Sequence, residues 1–193
     1  MSCAINDISR VPGEELKSAL VIGLGPLGLL HAVCLRERGV ENIVCVARPG
    51  RRADKARELG FGKVMSPDEI DECYKELTGG EGFDLVIITA PTNEVQGKAP
   101  MYAKKGGYVS YFASLPVGDE MLSVNSRTIH YNELVLYGTS DSTVKHVEAA
   151  VKLLQKNPEG FRPLITHIMP FSDFHRAMEE IKGGNAVKIV LVP

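Results

Sequence analysis

The sequence predicts an α/β fold, a doubly wound parallel sheet of six strands followed by a short C-terminal strand-helix-strand tail. Three observations carry that prediction. Short apolar runs alternate with segments of helical period along most of the 193 residues, the pattern of a sheet covered by helices on both faces. The stretch "VIGLGPLGLL" at 21–30 sets Gly23, Gly25 and Gly28 between such a run and such a segment. The rhythm changes only after residue 160, where two short apolar runs flank one helical segment.

Taken in order, the strands are expected at Ala19–Ile22, Ile43–Ala47, Gly62–Met65, Leu85–Thr89, Tyr108–Phe112 and Leu134–Gly138. Pro26 opens a helix that runs to Arg38, since proline is preorganised for a first helical turn. Arg52–Leu59 is a helix stopped by Gly60, and Pro67–Leu77 is one opened by Ser66 with Glu69 completing a capping box. A helix at Glu94–Lys104 is expected to end at Gly106 and Gly107. Val144, Val147, Val151 and Leu154 recur at helical spacing on one face of a further helix. In the tail, "FRPLITHIMPF" reads as a strand, Ser172 as the cap of a helix Asp173–Lys182 stopped by Gly183 and Gly184, and "AVKIVLV" as the last strand.

Composition narrows the function. With 22 basic and 24 acidic residues the formal charge is −2, which sets up no field for nucleic acid or an anionic membrane. Cys3, Cys34, Cys45 and Cys73 form no C-x-x-C pair and read as small core residues. No segment has the pattern of a secretion signal or the ~20 apolar residues of a membrane span, so the expected compartment is the cytoplasm. The five histidines, His31, His130, His146, His167 and His175, show no ligand spacing and are expected in structural or surface roles.

The glycine stretch has a chemistry of its own. A helix start leaves N–H groups unpartnered and carries the positive end of the helix dipole, so it binds a pyrophosphate when backbone can approach. Gly23 would make the tight turn out of the first strand, Gly25 would let the chain approach the phosphates, and Gly28 would let the helix pack on the sheet. A plain strand-to-helix turn and a methyltransferase-type nucleotide site remain alternatives at this stage. At the end of the second strand, where an acid would hold the adenosine ribose of NAD and repel a 2′-phosphate, the chain has Ala47 followed by Arg48. Arg51 and Arg52 stand nearby. This arrangement favours NADP, with NAD kept open.

From end to end the segments "VIGLGPLGLL", "RADKARELGFGKV", "TGGEGFDLVIITA", "KKGGYVSYFASLP", "IHYNELVLYGT" and "VKIVLVP" resemble, in order and spacing, the medium-chain dehydrogenase/reductase family, in particular its polyol and sorbitol dehydrogenase branch. The resemblance covers the Rossmann cofactor domain and tail of that family. It implies an NAD(P)-binding unit at 1–160 and, at 161–193, a tail that in relatives packs on a catalytic domain lying outside this sequence. It also implies an alcohol or polyol dehydrogenase activity in which zinc is held by that other domain, so that no metal ligand and no catalytic residue is assigned within these 193 residues and the isolated chain is expected to be inactive.

By the same resemblance, the amides of Gly25, Leu27 and Gly28 contact the pyrophosphate, and Thr89, Ala90 and Pro91 run along the adenosine. Ala113 and Ser114, with Gly138 and Thr139, form the nicotinamide side, and Lys188 reaches the pyrophosphate. Relatives join two sheets through the sixth strand, which implies a homodimer or homotetramer. Leu164, Ile168, Ile189 and Leu191 are expected to lack cover in the tail. A non-catalytic NAD(P)-sensing module and a purely structural fragment are the competing readings.

Overall fold

The computed structural model describes residues 1–193, with Glu15 described by its backbone. Helix α1 (Ser2–Ile8) leads into β1 (Ser18–Ile22), α2 (Pro26–Glu37), β2 (Asn42–Val46), α3 (Arg51–Glu58), β3 (Val64–Met65) and α4 (Pro67–Leu77). The second half continues with β4 (Phe83–Ile88), α5 (Asn93–Lys98), β5 (Ala103–Tyr111), α6 (Ser126–Tyr131), β6 (Val135–Tyr137) and α7 (Val144–Lys156). Short α8 (Pro158–Phe161) then precedes β7 (Ile165–Pro170), α9 (Phe174–Lys182) and β8 (Lys188–Val192).

The first six strands form one parallel sheet in the order β3-β2-β1-β4-β5-β6. Strand β1 pairs with β2 from Ser18↔Asn42 to Ile22↔Val46 and, on its other edge, with β4 from Ala19↔Leu85 to Ile22↔Ile88. The chain order reverses between β1 and β4, and that switch point opens a crevice at the carboxyl ends of the strands. Alternation builds two cores. Ala19, Val21, Leu85 and Ile87 face α1 and α2, while Leu20, Ile22, Val86 and Ile88 face α4 and the segment after α5. Strands covered on both faces read as continuous apolar runs, as "ALVI" and "LVII" do.

The predicted sheet is found with all six strands, and the tail forms a separate two-stranded parallel sheet, β7-β8, with α9 as its crossover. Local corrections have physical causes. The helix expected at Glu94–Lys104 stops at Lys98; a 3₁₀ turn over Ala99–Tyr102 follows and Lys104 lies in β5. Pro100 cannot donate to a continuing helix, and Ala103 pairs with Phe83. Gly106 and Gly107 are therefore no helix stop. They lie where the β4–β5 register shifts, and Gly106 adopts φ 72°. Ser172 does not cap α9: it lies in a 3₁₀ turn, Phe171–Asp173, and its hydroxyl meets Asp173. The third strand is two residues long and starts at Val64.

The valine stripe of α7 is also not the face that packs inward. Val144, Val147, Val151 and Leu154 are exposed, and the helix is seated against α1 through the neighbouring face, where Ala150 is buried. In the tail, Leu164 is buried together with Phe161 in the first core, against the expectation that it lacks cover. Ile168 is exposed as expected, while Ile189 and Leu191 are half-buried. No apolar alternation in the sequence announces α1 or α6.

At the amino end of the sheet, Asp84 fastens β1 to β4. Its Oδ2 accepts from the Lys17 and Ser18 amides at 2.9 and 2.6 Å and from Ser18 Oγ at 2.8 Å, and its Oδ1 faces Lys104 Nζ at 2.5 Å. Burial alone would raise this carboxyl; the bonds from Lys104, Ser18 and Lys17 together hold it below its usual value.

Candidate functional site

The glycine stretch lies at the switch point, between β1 and α2. Gly23 turns the chain at φ 94°, a conformation L side chains avoid, and its amide donates to Val46 at 2.9 Å. A Cβ built on Gly28 would lie 1.8 Å from the Gly23 carbonyl oxygen, so the helix approaches the strand as closely as it does only because residue 28 has no side chain. Gly25 is different. It caps α2 at φ −68°, and a Cβ there would meet nothing within 4 Å. Its open side is the space in front of the helix start. The first bond of the α2 ladder is Leu29 N to Gly25 O, so the amides of Leu27 and Gly28 precede it and point into that space.

Two clefts meet at this turn. One, of about 480 Å³, is lined by Gly23, Ala47, Arg48, Arg52 and Ala90, with Pro67 and Val95 as apolar walls. The second, of about 530 Å³, runs from Gly25 and Pro26 between Arg51 and Arg52 on one side and His167, Gly184 and Asn185 of the tail on the other. Leu24, Arg51, Arg52 and Gly184 border both, so the groove is continuous. Arg48, Arg51 and Arg52 are exposed, and no carboxylate pairs with them among the described residues. Lys188 lines an apolar hollow of about 570 Å³ together with Pro26 and Leu27 of that helix start.

The remaining expected residues also lie at carboxyl ends of strands. Thr89 follows β4, and its hydroxyl is occupied: it donates to the Gly23 carbonyl at 2.7 Å, holding the turn. Ala90 lines the groove, while Pro91 is exposed beside it. Ala113 follows β5, donating to the Ile88 carbonyl, and Ser114 is exposed. Gly138 is exposed after β6, whereas Thr139 turns inward and donates to Asp7 at 2.9 Å.

Gln96 was not foreseen. It is buried on α5, and its Nε2 donates to the carbonyls of Ala113 at 2.8 Å and Ala90 at 3.3 Å, fastening the loops after β4 and β5 to each other. A lone glutamine in a polar helix carries no signal of this. Cys34 and Cys45 are buried, and burial pushes both thiols up to about 12, which leaves them without thiolate chemistry. Among the described residues, no three His, Cys, Asp or Glu side chains converge as ligands for a metal ion.

The family profile and the curated relatives point to one family, and solved structures share the fold. The profile of the zinc-binding dehydrogenases matches residues 26–156. A sorbitol dehydrogenase from Halalkalibacterium halodurans is 28% identical over 205 aligned positions that take in 100% of this chain and 57% of that protein. The chain thus spans about half the length of the curated relatives it matches. A zinc-binding dehydrogenase from Sinorhizobium meliloti, solved bound to NADP, superposes with a TM-score of 0.83 at 22% identity, covering 100% of this chain and 57% of that one. An alcohol dehydrogenase from Escherichia coli, solved with NADH, gives a TM-score of 0.85 at 22% identity with the same coverage, 100% and 57%.

Proposed function

The chain belongs to the zinc-binding dehydrogenase family, and from that membership we propose that these 193 residues form the dinucleotide-binding part of an alcohol or polyol dehydrogenase, with NADP preferred over NAD. One observation carries the reading: Gly25 faces open space at the start of α2, between a turn that requires Gly23 and a helix contact that requires Gly28. This cradle fits a pyrophosphate, whose charge meets unpartnered amides and the positive end of the helix dipole.

In this assignment Gly25, Leu27 and Gly28 hold the pyrophosphate, with Lys188 approaching from the tail. Thr89 positions Gly23 rather than touching the ligand through its hydroxyl. Ala90 and Pro91 border the adenosine, and Ala113, Ser114, Gly138 and Thr139 border the nicotinamide. The bound nicotinamide supplies or accepts the hydride; the chain's residues bind, orient and neutralise. No metal-assisted step is assigned to these residues, since no ligand set converges among the described residues. The relatives' names, sorbitol, threonine and butanediol dehydrogenases, support a small secondary alcohol as the substrate of the whole enzyme. Strand β6, three residues long at the sheet edge with Val135 44% exposed, is the proposed seam of a homodimer.

The preference for NADP rests on Ala47 leaving room and on Arg48 facing the adenosine cleft without a carboxylate partner. A charge-assisted bond to a 2′-phosphate is worth about 1.5–3 kcal/mol, or roughly ten- to a hundredfold in affinity. Fluorescence titrations with NADPH and NADH at one salt concentration test it. Arg48→Asp is expected to weaken NADPH by that factor and leave NADH nearly unchanged; equal losses for both would return the preference to NAD. Gly25→Ala should weaken both dinucleotides without lowering the melting temperature, and unaltered binding in that variant would remove the pyrophosphate cradle.

A further inference from the structure

Between α1, α2 and the end of β5 lies a buried polar cluster whose Asp7, His31 and Ser110 the dinucleotide assignment does not use. Asp7 of α1, His31 of α2 and Ser110 of β5 are all fully buried. Asp7 Oδ1 accepts from Ser110 Oγ at 2.6 Å and from Thr139 Oγ1 at 2.9 Å. Asp7 Oδ2 faces His31 Nε2 at 3.4 Å, and these two atoms have no other partner among the described residues. Across the ring, His31 Nδ1 lies 2.7 Å from the Leu27 carbonyl oxygen. A carbonyl only accepts, so Nδ1 carries a proton. A bare Nε2 would then set a lone pair against the lone pairs of Oδ2. The contact is attractive only with a proton between the two atoms, whichever of them holds it.

Each arm of this cluster ends on a segment that the assignment above gives to the dinucleotide. Leu27 belongs to the first turn of α2. Ser110 and Phe112, which meets the His31 ring edge-on at 4.4 Å, lead directly into Ala113 and Ser114. Thr139 follows Gly138. Apolar side chains at positions 7 and 31 would fill the same space with no desolvation cost, but they would fix no directions; a satisfied buried polar network does. We propose that Asp7 and His31 are positioning residues for the dinucleotide: a buried brace that sets the first turn of α2 against the ends of β5 and β6, and so aligns the pyrophosphate cradle with the nicotinamide side. The proposal rests on the dinucleotide reading above.

The test compares NADPH and NADH with adenosine monophosphate, which reaches only the adenosine end, in the wild type and in Asp7→Ala, Asp7→Asn and His31→Phe. The alanine and phenylalanine variants are expected to weaken the dinucleotides about tenfold or more and to leave the monophosphate nearly unchanged. Asp7→Asn should restore dinucleotide affinity, because its amide oxygen still accepts from Ser110 and Thr139 while its NH₂ donates to Nε2. Nitrogen NMR of His31 supplies a readout that does not depend on the alanine variant folding: Nε2 should be bonded to or sharing a proton in the wild type and bare in Asp7→Asn.

Full dinucleotide affinity in folded Asp7→Ala or His31→Phe would overturn the brace, as would equal losses for the dinucleotides and the monophosphate. An Nε2 that neither bears a proton nor accepts one from Asp7 in the wild type would overturn it too. A wild-type chain that binds neither dinucleotide would instead remove the dinucleotide reading, and the brace with it.

Discussion

Two parallel strand pairs in this chain are built alike and surrounded differently. Between β1 and β4 every paired residue, from Ala19↔Leu85 to Ile22↔Ile88, is buried under helices on both faces. Between β7 and β8 the same parallel pairing, with α9 as crossover, leaves Ile168 68% exposed and Ile165 40% exposed, with only Met169 buried in β7. Backbone pairing satisfies the hydrogen bonds of both pairs. A second layer on each face is what turns an apolar strand into core, and the tail has cover on one side at most.

Substitutions should follow that contrast in size. Gly28→Ala is expected to have the largest effect, about 3 kcal/mol lost in urea unfolding, because a methyl 1.8 Å from the Gly23 carbonyl forces the helix off the strand; a loss under 1 kcal/mol would mean that this close approach relaxes freely. Next comes Leu164→Ala at about 2 kcal/mol, the low end for a buried leucine. It lies beyond residue 160 in sequence yet in the first core with Phe161, so a small effect would return it to the tail.

Asp84→Asn should cost about 1–3 kcal/mol at neutral pH, and acid should act on the same group. Its folded-state pKa lies below the ordinary 3.8. Its stabilisation is therefore complete above that value and is lost as pH falls through the lower, folded one. The wild type should lose stability in that acid window and the asparagine variant should lack this component; parallel acid curves for the two proteins would contradict it. Ile168→Ser, on the open face of the tail, is expected within about 0.5 kcal/mol of the wild type, and a larger loss would reveal cover on that face.

Much of the architecture was legible from local pattern. Runs such as "ALVI" and "LVII" are apolar at every position because both faces of their strands are buried, and Gly23, Gly25 and Gly28 announce a turn in which Gly23 and Gly28 have no room for a Cβ while Gly25 faces open space. One failure shows where local pattern stops. The α7 stripe looked like a packing face, yet the helix is seated through its neighbour, because periodicity shows which residues share a face and says nothing of which face finds a partner.

The same limit hid the brace. Asp7 and Ser110 are 103 positions apart and Thr139 is 132 from Asp7, so no spacing could join them. Residue order prescribed the strands, the glycine turn and the arginines beside it, since these follow from nearest-neighbour sterics and from alternation. Which helix faces are covered, where Thr89, Gln96 and His31 spend their hydrogen bonds, and how the tail comes to face Arg51 and Arg52 were settled when distant segments packed, because a buried polar group takes its meaning from a partner the chain brings to it.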